Sequence, residues 1–266
     1  MPSRVSPACS TCVSLASRLP WAAARILPTL GQCKRGGLVT LFQVADAVSE
    51  AGLGPDHKLY VNVGAPCNIC ELPATNGQIR RINLDGSGAE VVARGVRNSV
   101  GFDWHPVTKE LYFTDNGRDW LSEDLPEDEL NRVTRIGQPF GFPYCHQGTF
   151  TDRDMGWGRS CDEFEKPVAL LGPHAAALGM RFYTGSMFPS AYHNAIFIAR
   201  HGSWNRTKKI GGDIVVATLN KDGTVKSIAP FLTGCACLKK QDIVLYVSSA
   251  VRKVRIGSAT GSTPSS

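Results

Sequence analysis

The chain of 266 residues contains no run of 18 or more apolar residues, so no membrane-spanning helix is expected. Long amphipathic helical periodicity is missing from residues 58–233. With 27 Gly and 16 Pro, this excludes a helical bundle or a βαβ fold and suits a turn-rich globular protein. A second CxxC, or a His pair at short spacing, is missing beside Cys67–Cys70, which removes the usual zinc patterns. EF-hand spacing is absent too. Acidic residues are absent from residues 1–45, which hold five basic ones; residues 234–266 hold five basic and one acidic. The formal charge of +6 therefore belongs to the ends, and residues 46–233 carry a net −3. A basic nucleic-acid footprint is excluded from the body of the protein.

Three segments are expected: a distinct segment 1–53, a body 54–233, and a distinct segment 234–266 ending in the polar tail GSATGSTPSS. The acid-free, Ser-, Ala- and Arg-rich start has the composition of an organelle-targeting segment, with an unstructured or wrongly joined terminus as the other reading. Nine cysteines are present, four of them in the body: Cys67, Cys70, Cys145 and Cys161. Two structural disulfides in an extracellular or secretory compartment are preferred over free thiols, and Cys145 with Cys161 is expected to close a loop-rich Gly/Pro segment.

Strand signals repeat along the body. KLYVNVG (58–64), ELYFTDNG (110–117) and AIFIARHG (195–202) each run apolar for about four residues and break at polar residues and Gly. IRRINLDGSG (79–88) and VVATLNKDGTV (215–225) end in Asp-Gly turns, which tolerate the positive φ of tight hairpins. HPVTK (105–109) is a third turn signal. The first two strand–Gly units begin 52 residues apart and the third 85 later, spacings that predict an all-β fold of propeller blades with one loop-rich insertion.

Between Asp115 and Glu129 lie seven carboxylates, with Arg118 as the sole positive charge. Such a run reads either as a solvated acidic loop or as a loop holding a hard cation and a charged ligand.

The stretches GPDHKLYVNVGAPCNICE, GVRNSVGFDWHP, ELYFTDNGRDW, PEDELNRV, GQPFGFPYCHQG, ALGMRFYTGSMFP and AIFIARHGSWNR cover about two thirds of the chain. Here it resembles the soluble sugar dehydrogenases that use pyrroloquinoline quinone (PQQ), sorbosone/glucose dehydrogenase-like branch. The resemblance implies a six-bladed propeller, of which about four blades are accounted for, and hydride transfer from a sugar hydroxyl or hydrated aldehyde to PQQ beside calcium. By position, Arg97, Asn98, Asn116 and Asp128 match cofactor-side residues, and Arg200 and His201 lie where a cationic contact falls. The backbone carbonyls of Gly117 and Arg118 match the calcium loop. The carboxylates from Asp119 to Glu127 are read as mostly solvated. Asn205-Arg206-Thr207 is formally a glycosylation sequon, with a turn cap at Asn205 preferred.

The resemblance also exposes a gap. The family's general base is a His just before the G-P-D-x-K-L-Y strand, and LVTLFQVADAVSEAGL, the segment ahead of Gly54, has none. His146 is the first substitute, ahead of His57, His105 and His174. The expectation is weak dehydrogenase turnover at most, with a non-catalytic propeller binding or scaffold module as the alternative. The segment after Gly234 does not match the family; within it IVLYVSSAVRKVRI is expected to form a single hairpin and not a full blade.

Overall fold

A computed structural model describes residues 48–233 and two short strands, Val244–Tyr246 and Arg255–Gly257. The targeting-like start and the polar tail fall outside the described residues. Three antiparallel sheets of four strands follow one another along the chain. The first contains β1 (Val48–Leu53), β2 (Leu59–Val63), β3 (Gln78–Ile82) and β4 (Glu90–Arg94), in that order. The second contains β5 (Gly101–Trp104), β6 (Leu111–Asp115) and β7 (Glu127–Val133), with β11 (Ala169–Pro173) beyond β7. The third contains β12 (Ala177–Phe182), β13 (Ile196–Arg200), β14 (Asp213–Leu219) and β15 (Val225–Leu232). A short β8 (Gln138–Pro139) runs parallel to β4, and β9 (Cys145–His146) pairs with β10 (Phe150–Thr151). The strands Val244–Tyr246 and Arg255–Gly257 pair antiparallel, as the hairpin reading expects. Consecutive four-stranded meanders of this kind are propeller blades. The first begins six residues ahead of Gly54, because β1 pairs along the whole of β2.

The hairpin turns follow their sequence signals. Gly86 and Gly223 sit at φ +86° and +83° and donate back to Asn83 and Asn220 at 2.9 and 3.0 Å. Asp85 and Asp222 each accept the amide two residues on, at 2.9 Å. HPVTK likewise joins β5 to β6, closed by the His105 amide donating to Glu110 O at 2.8 Å.

Side-chain alternation then explains the apolar run Leu111-Tyr112-Phe113. Successive residues of a strand point to opposite faces, and the second sheet is covered on both. Leu111 and Phe113 join Tyr60, Ile79, Val92 and Phe140 in the core against the first sheet. Tyr112 joins Leu130, Met180, Phe182, Ile196 and Ile198 against the third. Phe113 meets Phe140 edge-to-face at 4.9 Å, and Tyr112 Oη donates to Gly223 O at 2.8 Å. Burying each such side chain contributes about 1.5–3 kcal/mol. The sheets approach so closely at Gly101 that a Cβ there would lie 2.2 Å from Leu178 O.

Candidate functional site

The acidic run begins where β6 emerges from this core. Asp115 ends β6, and the register places it directly opposite Glu129 of β7. Both carboxylates are buried, as is Asp128. Asp115 receives two successive amides, Arg97 N at 2.8 Å and Asn98 N at 2.6 Å. Asp128 accepts from Gly117 N at 2.9 Å, and the amides of Ala176 and Ala177 also face it. Glu129 accepts from Gln147 N at 2.6 Å and from Asn131 Nδ2 at 2.9 Å. Burial dominates their titration, pushing Asp115 up to about 7, Asp128 to about 6 and Glu129 to about 8. For Glu129 the neighbouring Asp115 charge adds to burial. The three act as one coupled group whose negative charge a nearby cation favours.

Above them, Arg97 and Asn98 are oriented from both directions. Their amides are fixed by Asp115, and the Arg97 guanidinium is clamped by Asn68. Arg97 Nε donates to Asn68 O at 3.0 Å, Nη2 to Asn68 Oδ1 at 2.9 Å, and Nη1 to Asn116 O at 3.1 Å. The ion pair with Asp119 is looser, at 3.6 Å. Three of the five guanidinium donors are thus in hydrogen bonds, and Nη2 also faces Asp119. Asn116 donates through Nδ2 to Asn98 O at 3.1 Å, while its Oδ1 is buried without a partner.

Asn68 was missed by sequence reading, although the CxxC was its signal. The Cys67–Cys70 disulfide forms, with Cα atoms 6.2 Å apart, and holds Asn68 inside its ring. From there Asn68 Oδ1 also accepts Asp119 N at 2.7 Å, and Nδ2 donates to Asp119 O at 3.0 Å. Asp119 in turn accepts from Asn205 Nδ2 at 2.9 Å. The carboxylates between Asp119 and Glu127 are therefore not simply solvated: Asp119 joins two loops, and Glu127 accepts Gly172 N at 3.0 Å. Asn205, half-buried on this bond, behaves as a turn residue.

The Arg118 side chain pairs with Asp152 at 2.7 Å and Asp154 at 2.9 Å. Asp152 also holds His146 Nε2 at 2.8 Å. Burial opposes ionisation of Asp152, but the bonds from Arg118 and His146 and the amides of Asp154 and Met155 bring it down to about 2. Burial pulls the His146 pKa below its ordinary value. The ring lines the same small cavity as Arg97, Asp115, Asn116, Gly117 and Glu129. The second disulfide, Cys145–Cys161, with Cα atoms 5.4 Å apart, closes the segment that carries it.

The other candidates are not brought into this cavity. Arg200 forks onto Asp213 and donates to Leu171 O at 3.0 Å, which ties β13 to its neighbours and leaves its charge satisfied. His201 is exposed, with its amide on Ala176 O at 2.9 Å. Among the described residues no three His, Cys, Asp or Glu side chains converge as metal ligands. What the loop offers a hard cation is the pair of carbonyls at Gly117 and Arg118, which accept no hydrogen bond among the described residues.

Fold and site together define a partial β-propeller with a polar rim of Arg, Asn and buried carboxylates at the strand ends. The chain belongs to the Glucose / Sorbosone dehydrogenase family, whose model matches residues 49–205. A Borreliella burgdorferi protein described only as uncharacterized is 40% identical over 206 residues, covering 74% of this chain and 54% of that one. A Synechocystis protein, also uncharacterized, is 26% identical over 151 residues, or 51% and 32% of the two chains. Among solved structures, the holo PQQ domain of a pyranose dehydrogenase from Coprinopsis cinerea matches with TM-score 0.62 at 18% identity, over 78% of this chain and 66% of that one. The calcium structure of a Trichoderma reesei Carbohydrate-Active Enzymes Family AA12 protein matches at 0.58 and 21%, over 69% and 56%. At these identities the structures support the fold. The chain spans about half the length of the first relatives it matches.

Proposed function

We propose that the chain carries the cofactor side of a PQQ-dependent dehydrogenase acting on an aldose or a hydrated sugar aldehyde. The observation that carries this reading is the Arg97–Asn98 pair: both amides are fixed on one buried carboxylate, and the guanidinium is locked by Asn68 at the edge of the cavity that Arg97 lines. A multiply carboxylated quinone needs such a fork and an amide beside it. The residues fit the group. The unpartnered Asn116 Oδ1 and the open carbonyls of Gly117 and Arg118 are oxygen donors of the type calcium takes, beside a carboxylate cluster that a cation would help to ionise. When bound, PQQ supplies the two-electron acceptor for hydride leaving the carbon that bears the oxidised hydroxyl, with calcium polarising it.

The protein's own residues then divide the work. Arg97, Asn98 and Asn116 bind and orient the cofactor, and Asp128 fixes the loop amide at Gly117. Exposed His201 stands beside the turn that supplies Asp128 with amides, and it is retained as a peripheral contact. Arg200 is reassigned to holding the third sheet together. The hydroxyl proton must go to a base, and His146 is the residue the fold brings to this cavity. Asp152 fixes its Nε2, leaving Nδ1 to accept. His146 is 4% exposed and the segment ahead of Gly54 carries no His, so turnover by the chain as written is expected to be slow. The two disulfides suit an oxidising, extracellular or secretory setting.

Titration of PQQ into the protein with calcium, followed by the cofactor's absorbance, tests the reading. Saturable one-to-one binding that Arg97→Ala weakens supports it, and no binding overturns it. Dye reduction with glucose or sorbosone then separates enzyme from binding module. Turnover abolished by His146→Asn assigns the base, while cofactor binding with no turnover favours the non-catalytic module.

A further inference from the structure

Next to this site, outside every residue assigned so far, two tryptophans stand in the open. Trp120 is 66% exposed and Trp204 55% exposed, yet their rings touch edge-to-face with centroids 5.0 Å apart and planes at 82°. Single exposed aromatics need no explanation, but a pair held in mutual contact on the surface does. The two come from loops far apart in sequence, and those loops are fastened together. Asn205 bonds Asp119 at 2.9 Å, and Arg206 Nη1 bonds Asp124 at 2.9 Å and also Glu123 O. Thr207 Oγ1 bonds Glu123, and His174 Nε2 meets Ser122 O at 2.8 Å. Lys209 Nζ donates to Trp204 O at 2.8 Å.

Backbone geometry adds a second observation. Trp120 sits at φ +65°, a conformation unfavourable for a bulky residue. The surrounding bonds hold that strain and keep a large apolar ring in water instead of letting it turn inward. Strained residues of this kind concentrate at ligand clamps.

The geometry points to a pyranose-binding platform made of Trp120 and Trp204, continuous with the cofactor-side residues through Asp119. A pyranose with equatorial hydroxyls presents a flat face of C–H groups that packs on an indole, and a second indole at a right angle walls one edge. The ring's hydroxyls then need polar partners, and Asp119, bonded to the Asn205 next to Trp204, and Lys209, whose Nζ rests on Trp204 O at 2.8 Å, are tied to the loops of the pair. Asp119 carries both connections, with Oδ1 on Asn205 and Oδ2 3.6 Å from Arg97. A sugar seated on the indoles would lie one side chain away from the cavity of Arg97 and His146. This inference rests on the sugar-oxidising reading and names the residues that would receive the substrate ring.

Indole-15N spectra of the cofactor-free protein test it directly, with glucose as the probe and mannitol as an open-chain control. The expected result is saturable shifts of the Trp120 and Trp204 resonances with glucose, without comparable shifts from mannitol or at Trp157, which is 92% exposed. Trp120→Ala and Trp204→Ala should each weaken glucose binding about tenfold, with Trp→Phe at either position restoring most of it. Trp157→Ala should leave it unchanged. Absence of shifts, equal shifts at Trp157, or unchanged affinity in both alanine variants overturns the platform. The two readings fail separately. Glucose shifts without PQQ binding keep the platform and remove the quinone reading; PQQ binding with silent tryptophans does the reverse.

Discussion

The turns at 83–88 and 220–224 and the loop from Asn116 to Pro126 are built from the same residue types, Asp, Asn, Gly and Ser, and they solve different problems. In the turns each Asp accepts an amide two residues ahead, so the whole device is local. In the loop the partners are remote. Asp115 holds amides 17 and 18 residues away, and Asp119 is fixed by Asn68 and by Asn205, 51 and 86 residues away. Local bonds make a hairpin, whereas remote bonds make a surface with fixed donors and acceptors, which is what a ligand requires.

That difference can be broken first at Cys161, where Cys161→Ser opens the loop carrying His146. The chain-entropy account gives about 3 kcal/mol for a loop of this size. Peptide mapping without reduction should recover Cys145 joined to Cys161, and two free thiols after oxidising expression would contradict the pairing. Next in size is Asp115. Asp115→Ala leaves two half-buried amides without their carboxylate, at the low end of about 1–3 kcal/mol each, so a loss of about 2 kcal/mol is expected in denaturant unfolding. A loss below about 1 kcal/mol would mean the amides find other partners.

The carboxylate cluster gives a pH signature that the hairpins lack. Glu129 is raised from 4.5 to about 8, so its unfolded form releases the proton more readily than its folded form. Its contribution to stability is complete below about pH 4.5 and is lost as pH rises through about 8. The melting temperature should fall across that window, and Glu129→Gln should flatten the fall. An unchanged slope would show that Glu129 is not the titrating group. The smallest effect belongs to the local device. Asp222→Ala removes an exposed turn bond and should shift the melting curve barely above measurement error, with PQQ binding untouched.

The same contrast explains what was legible. Strand runs, Asp-Gly turns and the 52-residue spacing announced an all-β propeller, because each is encoded over a few residues. Arg97, Asn98, Asn116, Asp128 and the Gly117–Arg118 carbonyls were named through family likeness, and the fold gathers them around one loop. Asn68, Asp115 and Glu129 were given no role of their own and Asp119 was read as solvated, because their roles arise from pairing across the sheets and from a disulfide ring, neither of which leaves a periodic trace. Arg200's bond to Asp213 was not legible for a related reason. A strand-end Arg looks free for a ligand until the register brings Asp213 opposite it.

The central claim is that the face formed by Arg97, Asn98 and Asn116, with the carbonyls of Gly117 and Arg118, receives PQQ together with calcium. Thermal unfolding of the full chain with PQQ and either calcium or magnesium tests it most directly. A ligand specific to the folded state stabilises it by about 2.7 kcal/mol at a hundredfold excess over Kd. The account predicts a rise with PQQ and calcium that magnesium does not match and that Arg97→Ala largely abolishes. Equal curves with calcium and magnesium, or a full rise in the Arg97→Ala variant, would contradict it.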